Sequence, residues 1–216
     1  MPFDLAQNAV YYALLVLSIL IALTAHEYAH ARTALAFGDT TARDAGRVSL
    51  NPLVHIDPVG ILCMLFVGFG WARPTPTNPS LMRNPRMNDL VVSAAGPLSN
   101  FAVAIIAGLL LRFDPLLAAL DTVGARAGGQ ILLAMLVQLN IALAVFNFLP
   151  LGSLDGTHVV KNLLPPAQGK AFEQFNFSYG SLILMGLLLM GSFGKVSIIG
   201  AIIGPPVNFF SRLILG

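Results

Sequence analysis

Four stretches of the chain carry no Asp, Glu, Lys or Arg: Leu5 to Ala25, Leu90 to Leu111, Ala127 to Leu154 and Gln174 to Gly194. A helix needs about 20 predominantly apolar residues to cross roughly 30 Å of hydrocarbon, so each run is long enough to span a bilayer. Few soluble folds could hide this much apolar surface. With 56% hydrophobic and 10% charged residues among 216, the chain cannot cover a globule with polar side chains. A soluble domain is excluded. The formal charge of +2 is too small and scattered for a nucleic-acid surface, and one cysteine, Cys63, can form no internal disulfide.

The tail from Val196 to Gly216 is apolar but holds Pro205, Pro206 and Arg212, so it reads as either a bent span or an interfacial helix. Val59 to Trp71 is apolar yet too short to span, and it contains Gly60, Gly68 and Gly70, which suits a re-entrant element. Its flanks, residues 46–51 and 71–78, are predicted to form short strands or extended segments. The expected fold is an all-α polytopic membrane protein. It has four to six transmembrane helices and a short re-entrant or strand-containing element after the first, in one domain over residues 1–216. No lysine or arginine precedes the first apolar run, which disfavours a cleaved leader. Arg32, Arg43, Arg47, Arg73, Arg83, Arg86, Lys161 and Lys170 fall on one side, against Arg112, Arg126 and Lys195 on the other. The positive-inside rule makes the first side cytoplasmic.

The chain has two glutamates and four histidines, and one glutamate and two histidines sit together in His26-Glu27-Tyr28-Ala29-His30. On a helix, residues four apart project from one face about 6 Å apart along the axis, which lets two imidazoles ligate one Zn²⁺. Glu27 follows the first histidine and is placed to reach a water beside the metal. Two histidines satisfied inside a bundle is the bland alternative. It is disfavoured because ionisable groups inside a membrane are costly and usually functional, and three cluster here. A catalytic zinc takes a third protein ligand. Asp155 is the best candidate, because Pro150 and Gly152 break the preceding apolar helix and turn the chain inward. Taken alone, Asp155-Gly156 reads as an ordinary turn.

These residues resemble the site-2 protease family of intramembrane metalloproteases. His26 to His30 is similar to the family's HExxH, and Asn147, Pro150, Leu154, Asp155 and Gly156 to its distal Asn-x-x-Pro-x-x-x-Leu-Asp-Gly signature. Asn51 to Gly60, Gly70 to Pro74 and Ala95-Gly96-Pro97-x-x-Asn100 resemble segments of the short bacterial and archaeal members. The resemblance implies one zinc on His26, His30 and Asp155, Glu27 as catalytic base, and a transmembrane helix of another protein as substrate. No stretch reads as a PDZ or CBS domain. Members often carry prolines where Gly152 and Ser153 stand here, so the loop before Asp155 is expected to be looser.

Asn140 and Asn147 lie seven residues apart on one expected helix and share a face. A polar stripe there could hold substrate backbone or bond neighbouring helices. His55 and Asp57 could orient a ligand, although a satisfied loop histidine is the simpler reading. His158 reads as an interfacial or supporting residue. Gly96-Pro97 is expected to kink or open its helix, with Asn100 satisfying the freed backbone. Two rival functions use the same residues: a divalent-cation transporter with a midplane site, and an inactive scaffold that binds membrane helices. The expected partners are the lipid bilayer and a membrane-protein substrate.

Overall fold

A computed structural model describes residues 9–67, 70–112, 123–193 and 197–216. Among them, five helices are long and apolar enough to cross a membrane: Ala9–Ala36, Pro85–Arg112, Ala127–Asn147, Pro166–Gly191 and Ile198–Leu215. Each of the four charge-free runs contributes to one of the first four. The tail makes the fifth, with Pro205 and Pro206 accommodated inside it. Helix interiors tolerate proline in membranes where neighbouring groups satisfy the freed backbone.

The first helix, α1 (Ala9–Ala36), meets its first charged side chain at Glu27. It closes at Gly38, whose φ of 102° lets Asp39 N–H bond the Ala34 carbonyl at 3.0 Å. Asp39 is buried and fastens two distant segments, accepting from Thr41 N–H at 2.9 Å and from Asn78 N–H at 2.6 Å. A single turn, α2 (Thr41–Asp44), follows.

The ten residues of α3 (Pro58–Val67) would extend about 15 Å, half the hydrocarbon thickness. Residues 68–69 of the expected re-entrant run lie outside the described residues. From Gly70 to Asn78 the chain runs outside any helix. Where short strands or extended segments are expected, the described residues form one antiparallel bridge, Ile56 to Ala72, with Arg73 N–H bonding the His55 carbonyl at 2.8 Å. The sequence explains this: Pro74 and Pro76 have no N–H to offer a ladder. Segment 46–51 likewise forms no strand. Its Ser49 carbonyl is taken by His55 Nε2 at 2.8 Å, and Asn51 caps a short 3₁₀ turn.

The central element is α4 (Pro85–Arg112), which packs against α1, against α5 (Val123–Asn147) and against α6 (Asp155–Leu163). Ala22, Ala31 and Ala34 of α1 are buried, and such small residues let helix backbones approach closely. Ala104, Ala107, Leu136, Val137 and Ile141 form a buried core between α4 and α5. The helix runs through Gly96-Pro97 without interruption. Asn100 does not satisfy its own helix there; it reaches across to Ala22. After α6 come α7 (Pro166–Phe175), a π-helical turn at Asn176–Gly180, α8 (Ser181–Phe193) and α9 (Ile198–Leu215). Large apolar side chains such as Leu17, Leu98, Ile106, Leu182 and Phe209 point outward, as lipid-facing positions do.

Candidate metal centre

The spacing of His26 and His30 on α1 brings their Nε2 atoms to 3.1 Å, with both side chains buried. This proximity requires a gap in the facing helix. Gly96 of α4 supplies it: a Cβ there would lie 2.3 Å from His30 Nε2 and 2.7 Å from His26 Cε1. The reason for glycine at this point is therefore room for the imidazoles rather than a kink.

Asp155 arrives from the far end of the chain. Helix α5 stops at Asn147, and Pro150 and Gly152, with φ of 63°, reverse the chain so that α6 begins at Asp155. Gly156 lets α6 fold tightly onto the end of α5, since a Cβ there would sit 2.2 Å from the Phe148 carbonyl oxygen. The loop expected to be loose is pinned: Gly152 N–H donates to Asn176 Oδ1 at 2.8 Å, and Gly152 lies against Gly180. Helix α6 is also docked on α4. Buried Asp89 accepts from Asn162 Nδ2 at 2.7 Å and lies 3.3 Å from Lys161 Nζ and 3.4 Å from His158 Nδ1. Arg86 donates to the Asn162 and Leu164 carbonyls at 2.9 and 2.5 Å. His158 thus supports the seating of α6 rather than the centre itself.

The result is a carboxylate straddling two imidazoles. Asp155 Oδ2 is 3.1 Å from His26 Nε2, and Asp155 Oδ1 is 3.3 Å from His30 Nε2. His30 Nδ1 lies 2.7 Å from the Val92 carbonyl, and His26 Nδ1 lies 2.6 Å from Asn100 Oδ1. Both partners are acceptors, so each neutral imidazole carries its proton on Nδ1 and turns an Nε2 lone pair inward. Two nitrogen lone pairs and a carboxylate then converge with no proton among them. Asp155 Oδ2 is buried without a hydrogen-bond donor. A buried orphan acceptor is costly, and a cation is what such a donor set lacks. Tetrahedral zinc with bonds of about 2.0 to 2.2 Å keeps its donor atoms about 3.3 to 3.6 Å apart, within a few tenths of an ångström of the separations here. The residues fit zinc.

Glu27 is buried beside this cluster, and Thr75 of the non-helical segment 70–78 holds it. Thr75 N–H and Oγ1 donate to Glu27 Oε2 at 2.8 and 2.7 Å. The segment is strapped down on both sides of that contact, by Arg47 Nη2 donating to the Arg73 carbonyl and by the bond from Asn78 to Asp39. A cleft of about 590 Å³ opens onto His26, Glu27, His30 and Asp155, with an apolar wall of Leu143, Phe146, Leu184, Met185 and Leu188.

Asn147 lines that cleft, its Nδ2 donating to the Leu143 carbonyl at 3.0 Å. Asn140 does not. It is fully buried behind Asn100, which donates to its Oδ1 at 2.8 Å. Seven residues of helix displace it about 10 Å along the axis, out of reach of anything bound in the cleft. His55 and Asp57 also stand apart from the donor cluster. Asp57 caps α3, and the N–H groups of Gly60 and Val59 hold its carboxyl below the usual carboxylate range. Thr75, Asp89 and Asn176 carry no spacing signal in the sequence and emerge only from the packing. For Asn100 the Gly-Pro-x-x-Asn run was such a signal, although its target was not.

Among known proteins, the chain is similar to zinc metalloproteases. The profile of peptidase family M50 matches residues 115–191. A Bacillus subtilis protein named "Putative zinc metalloprotease YwhC" is 39% identical over 186 residues, covering 83% of this chain and 82% of that protein. "Putative zinc metalloprotease Rip2" of Mycobacterium tuberculosis is 31% identical over 185 residues, covering 81% and 67%. Rip2 of Mycolicibacterium smegmatis is 29% identical over 82% and 67%. No solved structure matches the chain significantly.

Proposed function

The chain belongs to peptidase family M50, the site-2 protease family of zinc metalloproteases, and from that membership we propose that it hydrolyses peptide bonds in or near transmembrane segments of other membrane proteins. It is a multi-pass membrane metalloprotease. The observation that carries the finer reading is the convergence of His26, His30 and Asp155 among helices long enough to span the bilayer. In this reading residues 1–216 act as one intramembrane protease domain in a prokaryotic cell membrane, with the centre toward the cytoplasmic side.

His26, His30 and Asp155 would hold the zinc, which when bound would supply the Lewis acidity that lowers the pKa of water toward neutrality and polarises a peptide carbonyl. Glu27 is the general base. Both Thr75 donors fall on Oε2, which fixes the carboxylate and leaves Oε1 to take a proton from attacking water and return it to the leaving amine. A helical substrate hides its peptide bonds in i to i−4 hydrogen bonds and must unwind before attack. Asn147, on the cleft wall, is placed to bond the unwound backbone, while Leu143, Phe146 and Met185 receive apolar side chains.

The test is reconstitution of the zinc-loaded protein in liposomes with a panel of transmembrane peptides, products being mapped by mass spectrometry. Cleavage inside or at the margin of the apolar segment by wild type, none by Glu27→Gln and no zinc flux are expected. Equal cleavage by both proteins would remove the assigned base, and zinc flux without cleavage would favour a transporter.

A further inference from the structure

Two fully buried asparagines form a relay behind His26, and packing does not account for them. Asn100 and Asn140 are each 0% exposed in the helix core, where leucine would pack without polar cost. Both hydrogens of the Asn100 amide and one of the Asn140 amide have a fixed acceptor. Asn140 Nδ2 donates to the Leu136 carbonyl at 2.8 Å, which turns Asn140 Oδ1 toward Asn100. Asn100 Nδ2 donates to that oxygen at 2.8 Å and to the Ala22 carbonyl at 3.0 Å. A carbonyl cannot donate, so the Asn100 amide has one allowed orientation, with Oδ1 facing His26 Nδ1 at 2.6 Å.

The consequence reaches the metal. Reversing the Asn100 amide would aim an N–H at His26 Nδ1, drive that ring toward its other tautomer and place a hydrogen on the Nε2 that faces Asp155, while reversing Asn140 would remove one of the two acceptors that hold Asn100 in place. The clamp on Ala22 also ties α4 to α1 one turn before His26, which restrains the ring's backbone. His30 is treated differently, because its Nδ1 partner is the backbone carbonyl of Val92, which no side-chain replacement removes. The two imidazoles are therefore unequal: one is set by the main chain, the other by side chains that span three helices.

We propose that Asn100 and Asn140 are positioning residues that set the tautomer and aim of His26 and through it the zinc affinity of the centre. The inference rests on the zinc reading of His26, His30 and Asp155. Partners behind a ligating histidine typically control about 10- to 100-fold in metal affinity.

The experiment measures zinc dissociation constants by chelator competition in detergent micelles, together with thermal unfolding of the zinc-free proteins. Asn100→Leu, which removes the acceptor, is expected to weaken zinc about 10- to 100-fold. Asn100→Asp keeps an acceptor for Nδ1–H and is expected to restore most of the loss. Asn140→Leu, which removes one of the two acceptors holding the Asn100 amide without touching histidine, is expected to fall between wild type and Asn100→Leu. If Asn100→Leu does not fold, the order of wild type, Asn100→Asp and Asn140→Leu carries the test, with Asn100→Asp the tighter of the two variants. Wild-type affinity in Asn100→Leu or in Asn140→Leu overturns the proposal while leaving the zinc centre intact. So does an Asn100→Asp protein that folds normally yet binds as weakly as Asn100→Leu. A wild type that binds no zinc overturns the metal reading and this inference with it.

Discussion

Replacing Gly96 by alanine should separate stability from metal binding. The new methyl would stand 2.3 Å from His30 Nε2, 2.6 Å from His30 Cε1 and 2.7 Å from His26 Cε1, whereas ordinary contact begins at 3.4 Å. His30 cannot swing away freely, because its Nδ1 is held at 2.7 Å by the Val92 carbonyl. Relief therefore needs about 1 Å of movement by the ring or by α4, roughly twice the 0.5 Å within which a metal or catalytic constellation stays productive. Zinc affinity should fall at least about 100-fold, or roughly 2.7 kcal/mol. Helix propensity pulls the other way, since alanine inside a helix is about 1 kcal/mol better than glycine. Chelator competition and thermal unfolding of the zinc-free protein read the two effects separately. Gly186→Ala is the control, because a Cβ there meets nothing within 4 Å. Zinc bound by Gly96→Ala with wild-type affinity would refute the packing of α4 against the histidines.

Glu27→Gln should keep stoichiometric zinc while kcat on a cleaved transmembrane peptide falls about 10²- to 10⁴-fold, the usual contribution of a general base. Thr75→Val removes one of two donors to Glu27 and keeps the backbone N–H. It should lower kcat/KM about tenfold, as expected for losing a hydrogen bond to a charged group, with zinc affinity unchanged in competition titrations. Gly156→Ala should displace α6 from the Phe148 carbonyl and carry Asp155 with it, weakening zinc in the same titration although it touches no ligand. Asp89→Ala, which removes the buried anchor of α6, should lower stability by about 2 to 4 kcal/mol. Glu173→Ala removes the exposed partner of Lys161 and should change it by less than about 1 kcal/mol in the same unfolding assay.

The histidine pair was legible because its geometry is local: four residues of helix suffice to put both rings on one face. Asp155 was legible through Pro150 and Gly152, which break the preceding helix, together with the third ligand that the histidine pair requires. What stayed hidden depends on contacts between distant segments. Thr75 reaches Glu27 only because Arg47 and Asp39 strap its segment across the centre. Asn176 meets Gly152 only through the π-helical turn between α7 and α8. Shared periodicity misled for Asn140: it gives the face of a helix but not depth, and two turns separate the cleft from the buried relay. Of the two forms expected for segment 71–78, short strand or extended segment, Pro74 and Pro76 rule out the strand, since their missing N–H groups outweigh the β-propensity around them.

The most direct test of the account is the coordination sphere of zinc in the purified protein, measured by X-ray absorption alongside zinc content in His26→Ala, His30→Ala and Asp155→Ala. One zinc per chain, bound by two imidazole nitrogens and a carboxylate oxygen at about 2.0 to 2.2 Å and lost or strongly weakened in each variant, is the predicted result. Wild-type zinc binding in Asp155→Ala, or a sphere containing sulfur, would contradict it.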